Sequence, residues 1–199
     1  MHPYINYIPV HVTLTLVFYL FPDFLNPKLF DTVLFPLDAL VRAGAVTGAI
    51  THLSISTPSS SNSIHPALVM SPLTHMIIGG LASSGGGITA ATLSTWSPSW
   101  SFSTPPLFRA GTGLWGSVDF WGGGLAAAIY GIATGHEAFS YATAALRGLG
   151  LMSMKTDSWE AKALASVVLT ILFGIRAWKV HWAAGGAPSS GNGAKSKAQ

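Results

Sequence analysis

The distribution of charge constrains this chain more than any other feature. No Asp, Glu, Lys or Arg occurs between Arg42 and Arg109, between Asp119 and Glu137, or between Lys162 and Arg176. Over all 199 residues charged side chains make up 9%, against about 25% in soluble domains. A surface facing water cannot be built from so few charges. With 49% hydrophobic residues the chain is also too apolar for disorder. The class that remains is the integral membrane protein. There is no cysteine, which removes disulfides, Cys-ligated zinc, Fe–S clusters and thiol nucleophiles together. A net charge of +3 is small, and the basic residues form no patch with interleaved aromatics, so nucleic acid is excluded as a partner.

A helix that crosses a bilayer needs about 20 mostly apolar residues. The sequence predicts five such spans: 4–21, 33–54, 72–95, 107–133 and 160–182. The first has no basic n-region and no small-residue cleavage site, so it reads as a retained span rather than a signal peptide. Pro/Ser/Asn-rich stretches at 21–28, 56–66 and 94–106 read as connections, and 134–159 reads as the longest loop. The expected fold class is therefore all-α, a polytopic membrane helical bundle of about five transmembrane helices. It forms one domain over 1–182, followed by a disordered low-complexity tail, 183–199. Five spans put the termini on opposite faces. Lys28, Arg109, Lys179, Lys195 and Lys197 outnumber Arg147, Lys155 and Lys162, which places the C-terminus in the cytosol.

Two features inside the spans point to chemistry. Gly79, Gly80, Gly85, Gly86 and Gly87 fall in one span, and each interior glycine costs a helix roughly 0.8–1.0 kcal/mol relative to alanine. The run Gly85–Gly87 is expected to bend or break the helix, a defect tolerated only against protein or a water-filled cavity. The alternative is close helix packing through small residues. A second run, Gly122–Gly124, suggests the same for the fourth span. The other feature is charge. Asp38 and Arg42 are four apart and share a helix face. Asp119 has no partner within a turn of its own helix, so it must find Arg42, Arg109, a hydroxyl or water, or become protonated. Ser83, Ser84 and Thr89 offer hydroxyls nearby.

Other motifs are uninformative or absent. Gly111–Gly116 matches GxGxxG but sits in an apolar span without the strand and acidic residue of a dinucleotide site, and reads as helix packing. The seven histidines show no metal-ligand spacing, and their positions near loops and span ends read as interfacial. No catalytic constellation is visible, so no enzyme, metal or cofactor is expected.

The order of these elements resembles the trimeric intracellular cation channels, which have seven spans. The five spans here look like the family's third to seventh. The resemblance is carried by LVFYLFPDFL (16–25), LDALVRAGAVTGAITHL (37–53), HMIIGGLASSGGGIT (75–89), LWGSV (114–118) and WEAKALASVVLTILFG (159–174). Arg42 takes the place of the arginine in the family's Lys-Glu-Val-x-Arg-type motif, whose lysine and glutamate fall at Asp38 and Ala39. Ser83 falls where the family has a basic residue, and Asp119 where it is apolar.

The resemblance implies a homotrimer in the endoplasmic reticulum or nuclear envelope that conducts potassium and other monovalent cations through each subunit. On that reading Gly85, Gly86 and Gly87 form a kink. Asp119, Ser83, Ser84, Thr89 and Asp38 belong to the ion path, and Arg42 and Arg109 act as gate or as contacts to anionic lipid headgroups. A non-conducting scaffold or accessory subunit of a larger membrane complex is the alternative. The glycine faces Gly44–Gly48 and Gly131–Gly135 would then be helix interfaces.

Overall fold

Prolines and small polar caps set where the helices begin. In the computed structural model, which describes residues 7–21, 27–55, 64–95, 99–110, 113–150 and 156–183, three helices start on a proline, whose missing N–H is an orphan at that position in any case. The helices are α1 (Tyr7–Leu20), α2 (Pro27–Ile55), α3 (Pro66–Val69), α4 (Pro72–Leu93), α5 (Gly113–Gly116), α6 (Val118–Ala133), α7 (Ser140–Gly148) and α8 (Ser158–Trp178). Short 3-10 turns lie at Pro106–Phe108 and Glu137–Phe139, and a π-helical turn at Lys179–Ala183. The Ser71 hydroxyl caps α4 by accepting from the Thr74 N–H at 3.3 Å. The chain leaves α4 at Ser94, which adopts the left-handed conformation (φ 52°).

Among the described residues there is no strand. Three helices are long and apolar enough to cross a membrane: Asp31–Leu53, Pro72–Leu93 and Ser158–Ala183. The other two expected spans differ. The described part of α1 has 14 residues and α6 has 16, about 21 and 24 Å at ~1.5 Å per residue, below a hydrocarbon core of about 30 Å. The expected fourth span, 107–133, is not one helix. It is divided into the turn at Pro106–Phe108, α5 and α6, because Gly113 adopts φ +60° and Ser117 leaves helical geometry. Nor is 134–159 simply a loop, since Ser140–Gly148 is helical with Arg147 in its last turn, where a cation favours the helix dipole. Residues 4–6 of the first expected span and 184–199 of the expected tail lie outside the described residues.

The chain forms two compact units, Met1–Val33 with Ala177–Gln199, and Leu34–Arg176. In the first, the start of α2 meets the π turn. His181 Nε2 lies 2.8 Å from Asp31 Oδ2, and the Lys28 ammonium sits 4.2 Å from the centre of the Trp182 ring. In the second, the core is built from small residues. Ala39, Ala43, Val46 and Ile50 of α2 pack with Ala126, Ala127 and Tyr130 of α6 and Ala161, Ala165, Leu169 and Phe173 of α8. The α8 set repeats every four residues, one stripe of a helix. Large aliphatics such as Leu37, Val41, Leu73, Val167 and Ile171 point outward instead. Alanines let the helices approach closely, and the large aliphatics that also face outward suit helices that pack in lipid.

The α4–α6 contact explains four of the glycines, Gly79, Gly80, Gly123 and Gly124. An added Cβ at Gly79 would stand 2.5 Å from Ala127 Cβ and 2.8 Å from the Gly123 carbonyl oxygen, and one at Gly80 2.9 Å from the Phe120 oxygen. Gly124 approaches the Met76 oxygen at 2.9 Å in the same way. These glycines let two backbones touch. Gly85, Gly86 and Gly87 differ, having nothing within 4 Å. The helix runs unbroken through them, so the expected break is not there. Intrahelical bonds support this stretch: Ser84 Oγ donates to the Gly80 oxygen and Thr89 Oγ1 to the Gly85 oxygen, each at 2.7 Å.

Candidate functional site

The chain leaves helical geometry at Ser117, between α5 and α6, and polar side chains bond the carbonyls around it. A buried carbonyl left without a partner is costly. Here the Trp121 indole N–H donates to the Leu114 oxygen at 2.8 Å. The Ser117 hydroxyl bonds the Gly113 and Leu114 oxygens at 3.2 Å. Beside this break is a cavity of about 250 Å3, lined in part by Gly116, Ser117, Asp119, Ser84, Arg42 and Arg176.

Three charged side chains from three helices meet at the cavity. Arg176 of α8 donates from Nη1 to both oxygens of Asp119 on α6, at 2.8 and 3.0 Å. Arg42 of α2 places its own Nη1 3.3 Å from Asp119 Oδ1. Its main bonds go elsewhere: Nε donates to the two oxygens of Asp38 at 2.9 and 3.0 Å, and Nη1 to the Ser83 carbonyl at 2.7 Å. The Phe173 ring centre lies 5.1 Å from its guanidinium carbon. Two carboxylates thus face two guanidiniums. Asp38 is nearly half exposed, whereas the Asp119 side chain is 25% exposed.

The structure sorts the residues expected at a site. Asp119, Ser84, Arg42 and Gly87 line the cavity. Asp38 holds Arg42 from outside the lining. The Ser83 hydroxyl is buried without a hydrogen-bond partner, and that residue contributes its carbonyl instead. Thr89 is exposed and bonded to its own helix. Arg109 does not meet Asp119. Its guanidinium bonds the Thr104 and Ala91 carbonyls and the Ser103 hydroxyl, tying the loop before α5 to the end of α4. Sequence reasoning missed Arg176. Its signal was present, as a basic residue closing the third uncharged stretch, but nothing in the spacing placed it opposite Asp119.

Sequence reasoning also missed a histidine pair. His75 on α4 is fully buried, and its ring centre lies 4.6 Å from that of His136 and 5.6 Å from that of Phe139. Nδ1 of His75 is 2.9 Å from the Ser71 carbonyl, which can only accept, so the ring proton is on Nδ1. His75 Nε2 is left buried and without a partner. In His136 the assignment reverses, because its Nδ1 accepts from the Ala138 N–H at 3.1 Å and so carries no proton. Burial, and then the neighbouring His75, lower the pKa of His136 below its ordinary value, against an opposing pull from Glu137. Among the described residues no group of three or more His, Cys, Asp or Glu side chains could hold a metal.

The class of protein this defines is, over the described residues, an all-helical one with three helices long and apolar enough to cross a membrane and a charged cavity in the larger unit. No family model matches the chain, and neither a curated protein nor a solved structure matches it.

Proposed function

We propose that this chain is an integral membrane channel of the trimeric intracellular cation channel type, passing potassium and other monovalent cations through the cavity beside α5 and α6. The observation that carries the reading is the meeting of Asp119, Arg42 and Arg176 at a cavity roomy enough for several waters, each ~30 Å3 in the liquid. Charges within membrane spans are costly and mark ion pathways by default. Asp119 is the group that would attract a cation, and Ser84 and Ser117 the polar lining. A homotrimer in the endoplasmic reticulum or nuclear envelope, with its C-terminus in the cytosol, completes the proposal. Potassium flux from the purified protein in liposomes tests it. Flux should fall in Asp119→Asn, and unchanged conductance and selectivity in Asp119→Asn and Arg42→Ala would defeat the site assignment.

One observation favours a second reading, a non-conducting scaffold or accessory subunit. Gly44 and Gly48 of α2 have nothing within 4 Å, leaving a small-residue face of the kind that packs against another helix. Absence of flux from a well-folded oligomer that retains a stoichiometric partner would select it. The other face once considered, Gly131–Gly135, is not available. The α6 helix ends at Ala133, Gly135 takes φ +66°, and Gly131 packs against the Phe139 ring.

A further inference from the structure

The charges at the cavity divide into two pairs of unlike strength. Arg42 is engaged chiefly with Asp38 and with the Ser83 carbonyl, and its approach to Asp119 is the longest of the set at 3.3 Å. Arg176 puts a single nitrogen, Nη1, within 3.0 Å of both Asp119 oxygens. Asp119 therefore has one principal counter-charge, delivered by α8. A permeant cation seeking the one carboxylate in the lining finds its place taken by a guanidinium attached to the protein. Arg42 is already neutralised by Asp38, so the four charges together cancel while Arg176 holds Asp119.

We propose that Arg176 is a tethered cation that occupies the permeant cation's seat on Asp119, so that this one ion pair sets both how readily the cavity admits cations and how well it prefers them to anions. The proposal rests on the channel reading above and deepens it. Arg176 acts here as a specificity-determining residue, and conduction requires its guanidinium to leave the carboxylate. Neutralising Arg176 exposes Asp119 and leaves the cluster with one net negative charge. Neutralising Asp119 as well removes the seat.

The natural chain has no cysteine, which permits a test within a single folded protein. Arg176→Cys is reconstituted in liposomes and potassium flux and potassium/chloride selectivity are read before and after thiol modification. A cationic aminoethyl methanethiosulfonate restores a tethered positive charge, whereas a methyl reagent adds none. The unmodified and methylated forms should exceed the wild type by about fivefold or more, the water limit of Coulomb's law for unit charges near 4 Å. The aminoethyl form should return toward the wild-type flux. Arg176→Lys, which keeps the charge but not the guanidinium, should raise flux less than Arg176→Cys, and Asp119→Asn/Arg176→Cys should lose the gain. Equal flux from the aminoethyl and methyl forms would overturn the proposal while leaving the channel reading intact. So would a gain that survives in the double variant. Silence from the wild type and every variant would instead defeat the channel reading, and this proposal with it.

Discussion

Replacing Gly123 by alanine adds one methyl group where α4 and α6 touch. The new Cβ would meet the Ser83 side chain and stand 2.7 Å from the Gly79 carbonyl oxygen. Ordinary contact begins near 3.4 Å, so the backbone of α4 must retreat by roughly 0.7 Å. A carbonyl cannot rotate aside as a side chain does, so the retreat separates the helices over several turns. Overpacking of this kind costs about 1–3 kcal/mol. Alanine recovers roughly 0.8–1.0 kcal/mol through helix propensity, leaving a net loss of about 0–2 kcal/mol. Gly86→Ala is the control. Nothing lies within 4 Å of Gly86, so only the propensity gain remains, up to about 1 kcal/mol of stabilisation. The assay is reversible unfolding in mixed micelles, read by circular dichroism against increasing denaturing detergent. The two variants should move the midpoint in opposite directions. Ser83→Gly should recover part of the loss in Gly123→Ala but not all, because the Gly79 carbonyl remains. A Gly123→Ala protein stabilised as much as Gly86→Ala would refute the claim that these glycines are spacers between backbones.

Two further outcomes follow from the caps. The folded-state pKa of His136 lies below its ordinary value, so the unfolded chain takes up the proton first as pH falls. Stability is full above about pH 6.5 and declines below it until the folded ring titrates. The melting temperature should therefore drop between pH 7 and pH 5, and His136→Asn, which keeps a cap acceptor but cannot titrate, should flatten the slope. Ser71→Ala removes the hydroxyl that accepts from Thr74, and should lower stability by about 1 kcal/mol in the same unfolding assay.

How much of this was legible in the sequence depends on whether the signal was local. The three long helices were, because long apolar runs with few charges set them, although the start of α2 at Pro27 and the short α3 at Pro66 fell in stretches that read as connections. The Asp38–Arg42 pair was legible too, since four residues on a helix fix its geometry. The division of 107–133 was not, because hydropathy does not register a single left-handed residue such as Gly113. The glycine runs show the same limit. Gly79 and Gly85 have the same propensity, and only the neighbouring helix decides that one touches a backbone and the other touches nothing. Asp119 advertised its need for a partner, yet the partner came from α8, across 57 positions of sequence. His75 and His136 met for the same reason, through the tertiary closeness of α4 to the chain leaving α6.

The shortness of α6 has a consequence for where such a chain can reside. Its 16 residues provide about 24 Å of continuous helix, bounded by Ser117 at one end and the left-handed Gly135 at the other. On the proposed channel reading, in which α6 lies across the membrane, a bilayer ~32 Å thick would have to pinch inward around it, at a fraction of a kcal/mol for each Å of mismatch, whereas one of ~27 Å would hardly deform. Acyl-chain length would then be a load on the segment that carries Asp119, with thick membranes straining the bend at Ser117 and thin ones leaving it relaxed.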